Sequence, residues 1–276
     1  MTVNVSRADQ YESFYREFNS PLMRKIRGEA YGEDIGQHSW SSSAELRCDA
    51  TRLGLGPSSR LLDLGSGPCG PLTFLLSVSG CSGLGLELSP SAIKVGYSRA
   101  AELDVQARFS AHVADLNYPL PASLGLFDSA LAVDVVLHVH DRQALYREVA
   151  ALLRPGGRLL VTDAGVVTGA VSNEELQLRS LHGYTQFVPT GWNERLIEAA
   201  GFHLLESEDR TTSVVRNANG RLAAMNNHRS ELESLSGAAS FQTQSAYLTT
   251  VAELAGRRAV SRIMYLAELP AHDAAY

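Results

Sequence analysis

The residues able to do chemistry in this sequence cluster at the ends of short apolar runs. Leu61, Leu62 and Leu64 lead into Gly65, Gly67 and Gly70. That is the G-x-G-x-x-G spacing, which lets a backbone turn tightly and lets a bound molecule approach main-chain N–H groups without a Cβ in the way. Carboxylates recur in the same context: Asp63 within this run, Glu87 closing the next, Asp115 after the third and Asp134 after the fourth. The fourth run continues as Val135-Val-Leu-His138-Val-His140-Asp-Arg. It carries imidazoles, whose ordinary pKa suits a general base near neutral pH. Asp163 ends the fifth run.

The glycine spacing alone would serve a dinucleotide equally well. Asp63, two residues before Gly65, stands where dinucleotide sites place an apolar side chain; its charge would repel a pyrophosphate and suits a ligand bearing an ammonium or sulfonium. Glu87 can accept hydrogen bonds from ribose hydroxyls, and Asp115 from an adenine amino group. All of these sit where α/β sheets bind ligands, at the carboxyl ends of successive strands.

Those positions imply a particular scaffold. The pattern reads as strand 60–64, helix 71–78, strand 82–88, helix 92–107, strand 107–114, strand 127–133, helix 141–153 and strand 158–162, with a turn at Arg154-Pro-Gly-Gly157. Alternation of this kind predicts a mostly parallel α/β sheet with helices on both faces. Upstream, apolar residues from Tyr11 through Tyr15 to Ile26 mark helices on either side of Pro21, either ordinary amphipathic helices on the core or an aromatic lid over a pocket. A Gly-punctuated loop then carries His38, Ser39 and Trp40 as binding candidates, and helix 41–53 follows, capped by Ser42 or Ser43. Downstream come helix 173–181, helix 192–200, strand 202–208, a helical stretch 212–262 and strand 262–269. The expected division is a lid and gating loop at 1–56, a core at 57–211 and 262–270, and a helical cap at 212–261.

Composition narrows the partners. A net charge of -6 and a pI near 5.8 provide no basic field for nucleic acid, which leaves a small-molecule substrate. No apolar run approaches the roughly 20 residues that span a bilayer, and Met1 to Gln10 is polar, so no membrane association and a cytoplasmic location are expected. Cys48, Cys69 and Cys81 show no metal-ligand spacing, which fits a reducing compartment and a site with no metal. A homo-oligomer is compatible with the chain.

Taken together, these motifs resemble the class I S-adenosylmethionine-dependent methyltransferases of small molecules. Asp63-Leu-Gly-Ser-Gly-Pro-Cys-Gly70 is similar to the family's first motif, Glu87 to its acidic residue on the second strand, Asp115-Leu116 to its adenine-side motif, Phe127 to Asp134 to its fourth, and Leu153 to Leu159 to the turn before the fifth strand. The resemblance implies a Rossmann-like sheet of seven strands with the last antiparallel. It also implies S-adenosylmethionine held by Asp63, Gly65, Ser66, Gly67, Glu87, Leu88, Asp115 and Leu116, with Trp40 closing over it. Asp134 either faces that cofactor or bonds to nearby backbone. The segment ending in Asp141-Arg142 is similar to one in sugar O-methyltransferases, which implies His138 as base with Asp163 as its partner; His140 falls where that group has proline. Acceptor selection is expected from Tyr11, Tyr15, His182, Tyr184, Phe187 and Trp192. The implied reaction is methyl transfer to oxygen or nitrogen of a small molecule, in specialised metabolism. The alternative is a cyclase or other non-methylating enzyme that retains the cofactor.

Overall fold

The computed structural model describes residues 15–180 and 183–271. Strands β1 (Arg60–Leu64), β2 (Ser82–Glu87), β3 (Phe109–Val113), β4 (Phe127–Val133), β5 (Leu153–Val167), β6 (Val188–Pro189), β7 (His203–Asp209) and β8 (Val260–Glu268) form one sheet in the order β3-β2-β1-β4-β5-β8-β7, with β6 paired to the far end of β5. β1 to β5 run parallel, and β8 inserts antiparallel between β5 and β7. Alternation along each strand feeds a core on each face. Leu61, Leu131 and Leu160 pack with α3 (Gly70–Ser79), whereas Leu62, Leu64, Leu159 and Val161 pack with α5 (Arg142–Leu152).

Helix boundaries follow their caps. α1 (Pro21–Tyr31) begins at the proline, behind a Ser20 cap, and α2 (Ser43–Arg52) behind Ser42, whose hydroxyl accepts from Glu45 N. α4 (Pro90–Glu102) stops short of the expected Ala107, because Leu103 caps it and Asp104 turns left-handed at φ 54°. A 3₁₀ turn at Gln106–Arg108 precedes β3. α6 (Asn173–Arg179) starts with a Ser172/Glu175 capping box, and α7 is Trp192–Ala199.

Helices α8 (Thr211–Asn227), α9 (Arg229–Ser236) and α10 (Ala238–Gly256) lie between β7 and β8. Their weak sequence periodicity has a physical cause. α8 and α10 pack on each other and on two separate clusters, one around Trp40 and Ala164, the other joining Ile26 and Ala30 of α1 to Ala224, Leu232 and Phe241. The seven-strand expectation missed β6, two residues long and ending in proline, and so too short to show alternation. The expected turn at Arg154 to Gly157 is drawn into β5: Gly156 N donates to Leu269 O, and Leu269 N to Gly157 O. Among the described residues no helix is long and apolar enough to cross a membrane.

Candidate active site

A cavity of about 550 Å³ opens at the carboxyl ends of β1, β2 and β4. Its floor is the glycine turn. Gly65 (φ 63°) and Gly67 (φ 54°) adopt left-handed backbone, and a Cβ on Gly65 would meet Val135 Cγ2 at 2.2 Å. Gly70 serves packing instead: a Cβ there would lie 2.2 Å from the Gly36 carbonyl oxygen, so this glycine seats the loop that carries His38, Ser39 and Trp40. Pro68-Cys69 does not disturb the turn. Cys69 takes the left-handed cap position (φ 57°), and its buried Sγ lies 3.3 Å from Ser66 Oγ, with burial pushing the thiol pKa up.

Carboxylates line this end. Asp63 is 2% exposed, and its buried Oδ2 has no hydrogen-bond partner among the described residues. Burial, then repulsion from Glu87, holds its carboxyl well above the usual range. Glu87 accepts from Gly67 N at 2.9 Å and from Ser89 N at 3.0 Å, which fixes it beside the turn. Asp115 accepts from the backbone and side-chain nitrogens of Asn117, and Leu88, Ala114 and Leu116 complete the wall.

The opposite end is built by the loop before α2, the segment after β4 and the cap. Tyr15 Oη lies 3.1 Å from His38 Nδ1. Trp40 N donates to Asp134 Oδ2, and Asn217 of α8 donates to Trp40 O. Asp134, left-handed at φ 52°, also accepts from Thr162 Oγ1 and from Arg262 Nε, each at 2.8 Å. The Asp134 carboxylate thus staples the Trp40 backbone to the sheet, and it also borders the cavity.

His138 closes the 3₁₀ turn Val136–His138, with Nδ1 2.9 Å from the Tyr184 carbonyl oxygen. A carbonyl only accepts, so Nδ1 carries the proton, and in the neutral ring Nε2 is the basic nitrogen. His140 stands exposed at the mouth, its ring 4.2 Å edge-on from that of Tyr184.

Several sequence expectations are corrected here. Asp163 is fully buried and lies off the cavity: Oδ2 accepts from Arg142 Nη1 at 2.6 Å and from Asn193 Nδ2 at 2.8 Å, and Oδ1 from Gly165 N at 2.8 Å. His138 Nδ1 faces the Tyr184 carbonyl, and Arg142, which holds Asp163, also donates from Nη2 to Gln186 O. Trp192, 39% exposed at the start of α7, stacks under Arg195 away from the cavity, and Phe187 packs against Leu254, Ala259 and Val260. Tyr11 and His182 lie outside the described residues. The sequence reading missed Asn117, Arg179, Arg221 and Tyr247, all of which line the cavity; the last three come from α6, α8 and α10, which no local motif joins to the glycine turn.

Residues 62–161 match the family described as methyltransferase domain. Over those residues the chain carries a methyltransferase domain, and it is similar to S-adenosylmethionine-dependent methyltransferases. It is 30% identical over 164 residues to methyltransferase GfsG of Streptomyces halstedii, covering 57% of this chain and 58% of the relative. It is 29% identical over 165 residues to phosphoethanolamine N-methyltransferase 1 of Triticum aestivum, covering 60% of this chain and 32% of the relative. The chain thus spans between a third and somewhat over half of these curated relatives. The crystal structure of the [4+2]-cyclase SpnF has the same fold, with a TM-score of 0.74 at 20% identity over 96% of both chains. The family's cofactor is S-adenosylmethionine, and the site fits it: a buried carboxylate oxygen lacking a donor suits an ammonium group, and left-handed glycines leave the adjoining backbone open.

Proposed function

We propose that this chain is a methyltransferase acting on an oxygen or nitrogen of a small molecule. The observation that carries the reading is the cavity's polarity. An orphaned Asp63 oxygen stands beside the glycine turn at one end, and a histidine with its proton fixed on Nδ1 stands at the other. Asp63 would receive the amino group of S-adenosylmethionine, Glu87 the ribose hydroxyls, and Asp115 with Leu116 the adenine edge. Bound there, S-adenosylmethionine supplies an electrophilic methyl group for direct in-line displacement. Much of the catalysis is then positioning, supplied by the Tyr15–His38–Trp40 wall and the Tyr184 segment. His138 Nε2 would take the proton that a hydroxyl loses as it attacks, or that an ammonium must lose before the free amine can attack, while the Tyr184 carbonyl stabilises the imidazolium through Nδ1–H.

The test is turnover with candidate acceptors, scoring S-adenosylhomocysteine against product. Equal amounts are expected; product without S-adenosylhomocysteine would instead indicate a non-methylating enzyme on this fold. His138→Gln should lower kcat by about 10² to 10⁴, the usual range for general-base removal, and erase the acid limb of the pH profile. A variant that keeps both the rate and the limb would remove His138 from the mechanism.

A further inference from the structure

The cavity's two ends differ in charge, and among the described residues the cationic end has no carboxylate counterion. Asp63 and Glu87 lie on strands, and Asp115 and Asp134 just after them; Arg179, Arg221 and Tyr247 come from the surrounding helices. Asp134 is matched by the buried Arg262, which also pairs with Glu45. No such match exists for Arg179 and Arg221: among the described residues neither has a carboxylate within the 4.0 Å of an ion pair. Arg179 is 6% exposed, and its polar contacts are neutral, Nη1 donating to Tyr247 Oη at 2.8 Å and Nη2 to Ala164 O at 3.3 Å. Arg221 is half-buried beside Tyr31, whose phenol burial pushes up and Arg221 pulls down. Both guanidiniums lie near one indole, 5.8 Å and 5.3 Å from the Trp40 ring centroid. Like charges gathered in a buried wall repel each other and have lost solvation, so an anion placed against them is bound strongly.

We propose that the acceptor substrate carries an oxyanion, a carboxylate or a phosphate ester, held by Arg179 and Arg221 beside the face of Trp40. This rests on the methyl-transfer reading and names the acceptor's chemical class. The oxyanion anchors one end of the acceptor at the cap, and the atom to be methylated lies on the side facing His138 and the glycine turn. Tyr247, fixed by its bond from Arg179, gives the anchor a direction as well as a charge.

The test uses the full chain and separates the two readings. S-adenosylhomocysteine is titrated first; no binding would overturn the methyltransferase reading and this inference with it. Protein saturated with S-adenosylhomocysteine is then titrated with inorganic phosphate, benzoate and, as a neutral isostere, benzamide. Saturable, salt-sensitive binding of benzoate or of phosphate, with none of benzamide, is expected, and whichever anion binds identifies the group. Arg179→Gln and Arg221→Gln should each weaken that binding at least tenfold while leaving S-adenosylhomocysteine affinity within about twofold. Arg221, less buried, decides the matter should the Arg179 variant lose its near-ultraviolet circular dichroism. Three results overturn the proposal alone: neither anion binds, benzamide binds as well as benzoate, or the variants lose S-adenosylhomocysteine but keep 5′-methylthioadenosine. The last would mean that the arginines hold the cofactor's own carboxylate.

Discussion

Replacing Asp63 with asparagine should push the protein in opposite directions according to whether the site is filled. With the site empty, the Asp63 carboxyl is 2% exposed, has an oxygen without a donor, and is held above its ordinary pKa by burial and by Glu87. An acid whose pKa is raised by folding ionises first in the unfolded chain. Stability therefore falls as pH climbs past the ordinary carboxylate value, and the loss is complete once pH exceeds the folded value. Asparagine has the same shape and no such penalty, so Asp63→Asn should unfold at a higher temperature than the parent, by a margin that widens with pH. Binding reverses the sign. A charge-assisted hydrogen bond to an ammonium contributes about 1.5–3 kcal/mol, so the variant should bind S-adenosylhomocysteine about 10- to 150-fold more weakly. Titration calorimetry in buffers of different ionisation enthalpy adds a second signature. Below the raised pKa, parent binding releases a proton as Asp63 ionises against the ammonium, and the variant should lack that release. Equal affinities of parent and variant, or a variant less stable at every pH, would refute the assignment of Asp63 to the amino group.

Arg142→Met strips the buried Asp163 of its cation, which typically costs about 3–5 kcal/mol, so thermal unfolding should shift down by roughly 6–20 °C. Asp163→Asn should also lower the melting temperature yet keep the acid limb of the pH–rate profile; losing that limb would restore Asp163 as a direct partner of His138. Gly70→Ala drives a methyl into the Gly36 carbonyl, an overpacking worth about 1–3 kcal/mol, and by displacing the His38–Trp40 loop it should weaken S-adenosylhomocysteine binding; parent-like melting and affinity would contradict that packing role.

What could be read from the sequence follows the range of the interactions involved. Strands buried on both faces leave apolar runs, and a carboxylate at the end of such a run is visible beside the glycines it accompanies; hence Asp63, Glu87 and Asp115 were found where the cavity is. Ser42 and Pro21 act within a few residues and were legible for the same reason, whereas the packing of Gly70 on Gly36 is a tertiary contact. The surroundings of Asp163 are settled by tertiary packing: Arg142, 21 residues earlier, and Asn193 occupy Oδ2 while Gly165 N occupies Oδ1, all off the cavity. Trp192 carries a binding-type side chain on a face turned outward, which type alone does not reveal. Arg179, Arg221 and Tyr247 were invisible because their convergence depends on how α6, α8 and α10 stack, and each alone reads as an ordinary helical residue.

The position of β8 has a consequence for how the molecule is made. Among the described residues β7 pairs only with β8, and β8 fills the slot beside β5, so every pairing on that side waits for residues 260–268 to leave the ribosome. Arg262, in the middle of that strand, is also the group that neutralises Asp134 and reaches Ser41, Glu45 and Ser213. During synthesis the nucleotide end of the cavity can close early on β1 to β4, whereas Asp134 keeps an unmatched charge and β7 an open edge. A nascent chain stalled before residue 260 should therefore retain an interface for chaperones at this edge while its glycine turn is already formed.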